Sequence, residues 1–181
     1  TIGLAVAGLF EWIRVVPFIL AQLLGGMAGA SLVWLFYRDH FNATDNQGSI
    51  LASYATSPAI RRIPSNVISE VIGTFVLVFV ILYIAEPGLE LPDNQPARIG
   101  LGTLGALPVA LLVTAIGLSL GGTTGYAINP ARDLGPRVMH ALLPMKFKGT
   151  SDWPYAWVPI AGPILGAALA AFLFLLHQWL F

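Results

Sequence analysis

Apolar residues along this chain gather into four long runs rather than short amphipathic stripes. The runs cover 15–37, 67–85, 101–120 and 156–180. Each is close to the roughly 20 apolar residues that one helix needs to cross a bilayer. Four membrane-spanning helices are therefore predicted. Pro108, inside the third run, either starts the helix proper or kinks it, because it has no N–H and its ring crowds the preceding turn. Trp153, Tyr155, Trp157 and Trp179 flank the last run, as aromatic residues do at the two membrane interfaces. Small residues recur at helical spacing in two places, Gly25 with Gly29, and Gly162 with Gly166 and Ala170. Such faces let lipid-bathed helices approach closely, although glycine is common in membrane helices generally.

The polar intervals differ among themselves. Residues 38–65 form a long connection with Arg61 and Arg62, and residues 86–98 read as a short, acidic, proline-rich loop. The interval from Leu120 to Tyr155 is too apolar for an exterior loop and too interrupted for a span. It is predicted to be a re-entrant element over 121–145, an extended Gly/Thr stretch descending and a short helix returning. Irregular backbone is tolerated at membrane depth only where protein buries it or water lines it. Asn129 is a good helix N-cap and Pro130 a good first helical residue. A helix over 131–143 would be roughly 20 Å long, half a membrane, with its electropositive end near the midplane. The Asn129 amide and the Arg132 guanidinium would offer donors there. Carbonyls along 121–128 would offer acceptors, including those of Thr124, Gly125, Tyr126, Ala127 and Ile128. Donors facing acceptors can replace water around a polyol. Asn-Pro alone is an ordinary turn dipeptide; its position before a half-length helix gives it weight.

Composition sharpens this picture. The chain of 181 residues is 56% hydrophobic and 10% charged. Soluble domains carry about 25% charged residues, so a bilayer, not water, is the expected surroundings. Nine basic residues balance nine acidic ones, which gives no reason to expect nucleic acid. The absence of cysteine rules out disulfides and thiolate metal sites. His40, His140 and His177 lack metal-ligand spacing and read as structural or interfacial. No nucleophile has a neighbouring base and no phosphate loop is present, so neither an enzyme nor a cofactor is expected. Asn42-Ala43-Thr44 matches a glycosylation sequon, a pattern common by chance.

The run Gly125-Tyr126-Ala127-Ile128-Asn129-Pro130-Ala131-Arg132-Asp133-Leu134-Gly135-Pro136-Arg137 resembles the second Asn-Pro-Ala loop of the major intrinsic proteins (the aquaporin superfamily), in its aquaglyceroporin or glycerol-facilitator branch. Phe18 to Gln22, Ser69-Glu70 and Val158 to Pro163 resemble the family's third, fourth and sixth helices. Residues 1–10 resemble the half-helix after the first Asn-Pro-Ala. The resemblance therefore implies a start just past that motif, without the family's first two helices. It implies an all-α membrane bundle with re-entrant half-helices, a single channel domain over 1–181. It implies a multi-pass protein of a plasma or bacterial inner membrane, assembled as a homotetramer. It also places the loops at 38–65 and 120–155 outside the cell, although most basic residues lie there and a positive-inside count would give the inverse.

By this resemblance Asn129, Pro130 and Ala131 form the pore motif, and Gly117, Tyr126 and Arg132 the selectivity filter. Asp133, Arg137, Pro159 and Ile160 mark the glycerol branch. Gly117 stands where water channels carry a histidine. Thr56-Ser57-Pro58 departs from relatives that have an aromatic before the proline. Glu70 is implied to accept hydrogen bonds from the backbone of the pore loop; a proton relay would need titratable partners, and none is in view. Gln22 either braces the pore loop or bonds between helices. Asp133 either complements its helix N-terminus or braces the loop against Arg137. The expected function is passive passage of glycerol and other small uncharged solutes, with some water. A water-selective or urea/metalloid channel, or a secondary transporter with a broken-helix midplane site, are the alternatives.

Overall fold

The computed structural model describes residues 1–84, 88–90, 96–98 and 102–181. Among the described residues, four helices have the length and hydropathy to cross a membrane. In chain order the elements are α1 (Ile2–Val6), α2 (Trp12–Phe36), α3 (Arg38–Ala43), α4 (Gln47–Ala52) and α5 (Ile63–Tyr83). An antiparallel ribbon, β1 (Gly88–Glu90) with β2 (Pro96–Arg98), occupies the connection read as a plain loop. A 3-10 turn (Gly102–Ala106) leads into α6 (Leu107–Thr124), and α7 (Pro130–Leu142) and α8 (Val158–Leu180) follow. The end of the second expected run at Ala85, and residues 99–101, lie outside the described residues.

Local chemistry sets several boundaries. Pro108 sits in the first turn of α6 and so starts that helix rather than kinking it. That helix continues to Thr124, so residues 121–124 are helical, not extended. The reason is the C-cap: Gly125 adopts φ +75°, a conformation glycine reaches without penalty, and its N–H closes the last turn on Gly121. The irregular stretch is therefore only 125–129. Directly after it Pro130 opens α7, and α7 is 13 residues long, half a span.

Backbone proximity holds the bundle together. A Cβ added at Gly162 would lie 2.5 Å from Glu70 Cβ, and one at Gly166 would collide with the Val71 carbonyl. Helices α5 and α8 therefore cross where the sequence placed small residues, with Ala170 fully buried beside them. Gly25 and Gly29, by contrast, meet nothing within 4 Å. The contact on α2 uses Gly26, which faces Ala131 O and Gly135, while Gly135 faces the Leu23 carbonyl. This crossing of α2 and α7 seats the half-helix against a full-length one.

Candidate pore site

The site is built on the five residues between α6 and α7. Gly125, Tyr126 and Ile128 have φ of +75°, +41° and +44°. The two non-glycine residues are strained, at a cost of order 1–3 kcal/mol each, and something must hold them. Glu70 does so from α5: its Oε1 accepts the Ala127 N–H at 3.0 Å and its Oε2 the Ile128 N–H at 2.8 Å. Glu70 is 1% exposed, and charge-assisted bonds to both oxygens compensate its burial.

These two bonds also orient the acceptors. Each trans peptide points its C=O opposite to its N–H. With the N–H groups of 127 and 128 aimed at Glu70, the carbonyls of Tyr126 and Ala127 point away from it. No donor among the described residues takes those two oxygens. The orientation of these two acceptors thus has a definite cause. Thr123, also inside the expected ladder, gives its carbonyl to the Ala59 N–H at 3.0 Å.

Asn129 caps α7: its Oδ1 accepts from Ala131 N at 2.9 Å and Arg132 N at 3.4 Å. Its carbonyl oxygen is thereby committed, and the amide NH₂ is left to face outward. Asn129 and Pro130 line a cavity of about 380 Å³, together with Gln22, Thr74, Leu134 and Ile160. Ala131 joins that wall. Gln22 does not reach the pore loop; its Nε2 donates to Thr1 Oγ1 at 2.8 Å. Pro159 is buried in the first turn of α8, and Ile160 beside it reaches the cavity.

Gly117, Tyr126 and Arg132 converge away from that cavity wall. A Cβ at Gly117 would lie 3.1 Å from Tyr126 Cζ, and one at Gly121 would lie 2.8 Å from Cδ1. The phenol ring therefore lies against two glycines one helical turn apart. The Arg132 guanidinium sits over the ring, 5.8 Å from its centroid. Arg132 is exposed, and no acceptor among the described residues takes its guanidinium N–H groups. Cation–π contact leaves the in-plane donors of arginine free.

Behind α7 lies a second carboxylate. Asp133 Oδ2 accepts from both the N–H and the hydroxyl of Thr56, each at 2.7 Å. Arg137 binds Asp133 through Nε at 2.8 Å and a terminal nitrogen at 3.0 Å. The same guanidinium donates to the carbonyls of Thr56, Ser151 and Asp152. Both charged side chains are 0% exposed, so Asp133 braces the loop against Arg137. The sequence reading singled out Thr56 only as part of a departure, because its partner is 77 residues away. It missed Gly121, whose spacing of four from Gly117 becomes meaningful once α6 is known to reach Thr124. Between the connection before α5 and the one before α8, Arg61 pairs with Asp152 and lies 5.3 Å from the Tyr155 ring centroid. That pairing pushes the Arg61 pKa further up.

Comparison with known proteins gives one answer. The family described as Major intrinsic protein matches residues 1–174. Glycerol uptake facilitator protein 3 of Lactiplantibacillus plantarum is 55% identical over 176 residues, covering 96% of this chain and 68% of the relative. The glycerol uptake facilitator protein of Streptococcus pneumoniae is 53% identical over 174 residues, covering 96% of this chain and 70% of the relative. The aquaglyceroporin structure from Plasmodium falciparum superposes with a TM-score of 0.76 at 30% identity, covering 96% of this chain and 68% of that one. The fold is the aquaporin-like bundle, and the protein is an integral, multi-pass membrane protein. On its sequence, its half-helix and its pore-loop geometry, the chain belongs to the major intrinsic protein family.

Proposed function

We propose that this protein conducts glycerol and other small uncharged solutes, with some water, passively and in both directions. The observation that carries the reading is the division of labour at the loop: Asn129 and Arg132 keep unspent donors, and Tyr126 and Ala127 keep unspent acceptors. A polyol passing between them exchanges water's hydrogen bonds for the protein's. The Tyr126 ring offers the carbon backbone an apolar face. An ion cannot be compensated in this way, because neutral dipoles do not repay its desolvation. The electropositive end of α7 and the Arg132 charge further oppose cations. Facilitators of glycerol uptake among the similar proteins support the substrate class. The assembly proposed is a homotetramer in a lipid bilayer, with one pore per subunit, no cofactor and no catalytic step.

The chain contains no cysteine, which makes a direct test clean. Asn129→Cys in liposomes should conduct glycerol at a reduced but measurable rate, because the cap and the amide donor are lost, and a small thiol reagent should abolish what remains. Unmodified protein should be indifferent to the reagent. Flux through Asn129→Cys that the reagent leaves untouched would remove position 129 from the pathway. Water flux without glycerol flux in the unmodified protein would assign a water-selective channel. Uphill accumulation driven by an ion gradient would assign a transporter.

A further inference from the structure

Buried polar atoms in folded proteins almost always have a hydrogen-bond partner, protein or water. Three that have none among the described residues, Trp34 Nε1, Tyr54 Oη and His140 Nε2, belong to rings packed on or beside one cluster behind the pore helix. They come from α2, from the turn after α4 and from the last turn of α7. Tyr54 is 3% exposed and His140 is 0% exposed. Their rings meet edge to face, with centroids 5.6 Å apart. Trp34 packs against the same cluster, formed by Ala30, Phe41, Ile50, Tyr54 and Met145.

His140 Nε2 makes no hydrogen bond among the described residues, although the Lys148 backbone lies close to the ring. Its Nδ1 is engaged with Ser151 Oγ at 2.8 Å. If the serine donates, Nε2 carries the proton and needs an acceptor; if Nδ1 donates, Nε2 is a bare acceptor and needs a donor. Tyr54 can serve either need through an intermediary. Burial pushes its phenol up to about 12, so the hydroxyl keeps its proton at working pH. Trp34 Nε1 can only donate. One donor, one group that does both and one that does either is the set a single water satisfies. Buried waters typically make about three hydrogen bonds.

The geometry points to an internal water site bounded by Trp34 Nε1, Tyr54 Oη and His140 Nε2, which ties the outer end of α7 to α2 and to the Thr56 loop. A groove of about 290 Å³ between α2, α3 and α4 shares Phe41 and Ile50 with the cluster. The site has a consequence for the pore, because Tyr54 lies two residues before Thr56 and His140 three residues after Arg137. The water closes the network that fixes the base of the pore helix.

A density map of the intact protein that resolves ordered solvent should show one peak within about 3 Å of all three atoms. An empty site, or direct bonds among the three side chains, would overturn the inference. Thermal stability gives a test of sign. If the site is dry, Tyr54→Phe deletes an unsatisfied hydroxyl and Tm stays level or rises. If the water is present, the same change strips one of its partners, and Tm should fall by roughly 2–4 °C. Trp34→Phe should lower Tm similarly, and the double variant should lower it by less than the sum. Strict additivity would show that the two groups share nothing.

Discussion

Two arginines in the short helix α7 have opposite fates. Five residues at about 100° each put Arg132 and Arg137 roughly 140° apart around the helix. Arg137 is 0% exposed and makes five hydrogen bonds. Arg132 is exposed and rests only over the Tyr126 ring. The same contrast runs through the loop before them, where N–H groups are spent on Glu70 and carbonyls are left free. A channel lining must offer hydrogen bonds without making them internally. The structure achieves this by placing both carboxylates, Glu70 and Asp133, behind the lining. There they absorb the donors that fix the backbone and leave those of Arg132 and Asn129 uncommitted.

Breaking the rear network should have the largest effect. Arg137→Met fits an apolar chain into the space but leaves Asp133 charged, buried and deprived of its partner. Removing one member of a buried pair costs about 3–5 kcal/mol. Loss of folded protein in detergent, measured by thermal unfolding, is expected, with glycerol flux lost in proportion. Arg132→Met should leave Tm nearly unchanged while altering flux. Equal Tm losses for the two would erase the distinction between front and rear.

Glu70→Gln comes next. One oxygen still accepts an N–H, but the amide nitrogen now faces the second, leaving a buried donor unpaired at a cost of about 1–3 kcal/mol. The strained φ values at Tyr126 and Ile128 lose part of their support, so the carbonyls of 126 and 127 should reorient. Membrane-inserted protein with glycerol flux reduced about tenfold, or about 1.4 kcal/mol in barrier, is expected. Flux that falls only at acid or alkaline pH would instead point to a proton relay through Glu70.

A smaller effect should sharpen the front. A methyl at Gly117 would sit 3.1 Å from Tyr126 Cζ, too close unless the ring shifts by a few tenths of an ångström. With Gly121 against the same ring, the displacement must be away from α6. Gly117→Ala should lower glycerol flux roughly fivefold, about 1 kcal/mol in barrier, and water flux much less. Equal losses for both solutes would show that the ring does not set the width.

Much of this was legible in the sequence because it depends on local order. The four apolar runs, the half-length helix and the Asn129 cap follow from length, hydropathy and capping chemistry. Gly162 and Gly166 were found by their spacing, yet the same rule chose Gly25 and Gly29 over Gly26. Spacing identifies a small face but not which neighbour packs on it. The extended stretch was set too long because Gly121, Gly122, Thr123 and Thr124 are poor helix formers, whereas the chain continues its turn until Gly125 ends it. Long-range bonds left no local trace: nothing near Thr56 announces Asp133, and nothing near Ser151 announces Arg137.

Thr56 provides the finest test of the rear face. Its N–H, hydroxyl and carbonyl all enter the Asp133–Arg137 network, and its Cβ and Cγ2 lie 3.4 Å from where a Cβ would stand on Gly125. Thr56→Ser keeps all three hydrogen bonds and loses one methyl. Thr56→Val keeps the shape and the backbone bonds but removes the hydroxyl that Asp133 accepts. A lost bond to a charged group costs about 1.5–3 kcal/mol at most, and here Asp133 retains its other donors, so the lower end is expected. The valine variant should therefore unfold at a lower temperature than the serine variant, with the glycerol-to-water flux ratio changed in valine alone. If serine proves the more damaging of the two, the methyl contact with the Gly125 turn outweighs the hydroxyl. The loop would then be held by packing rather than by the buried carboxylate.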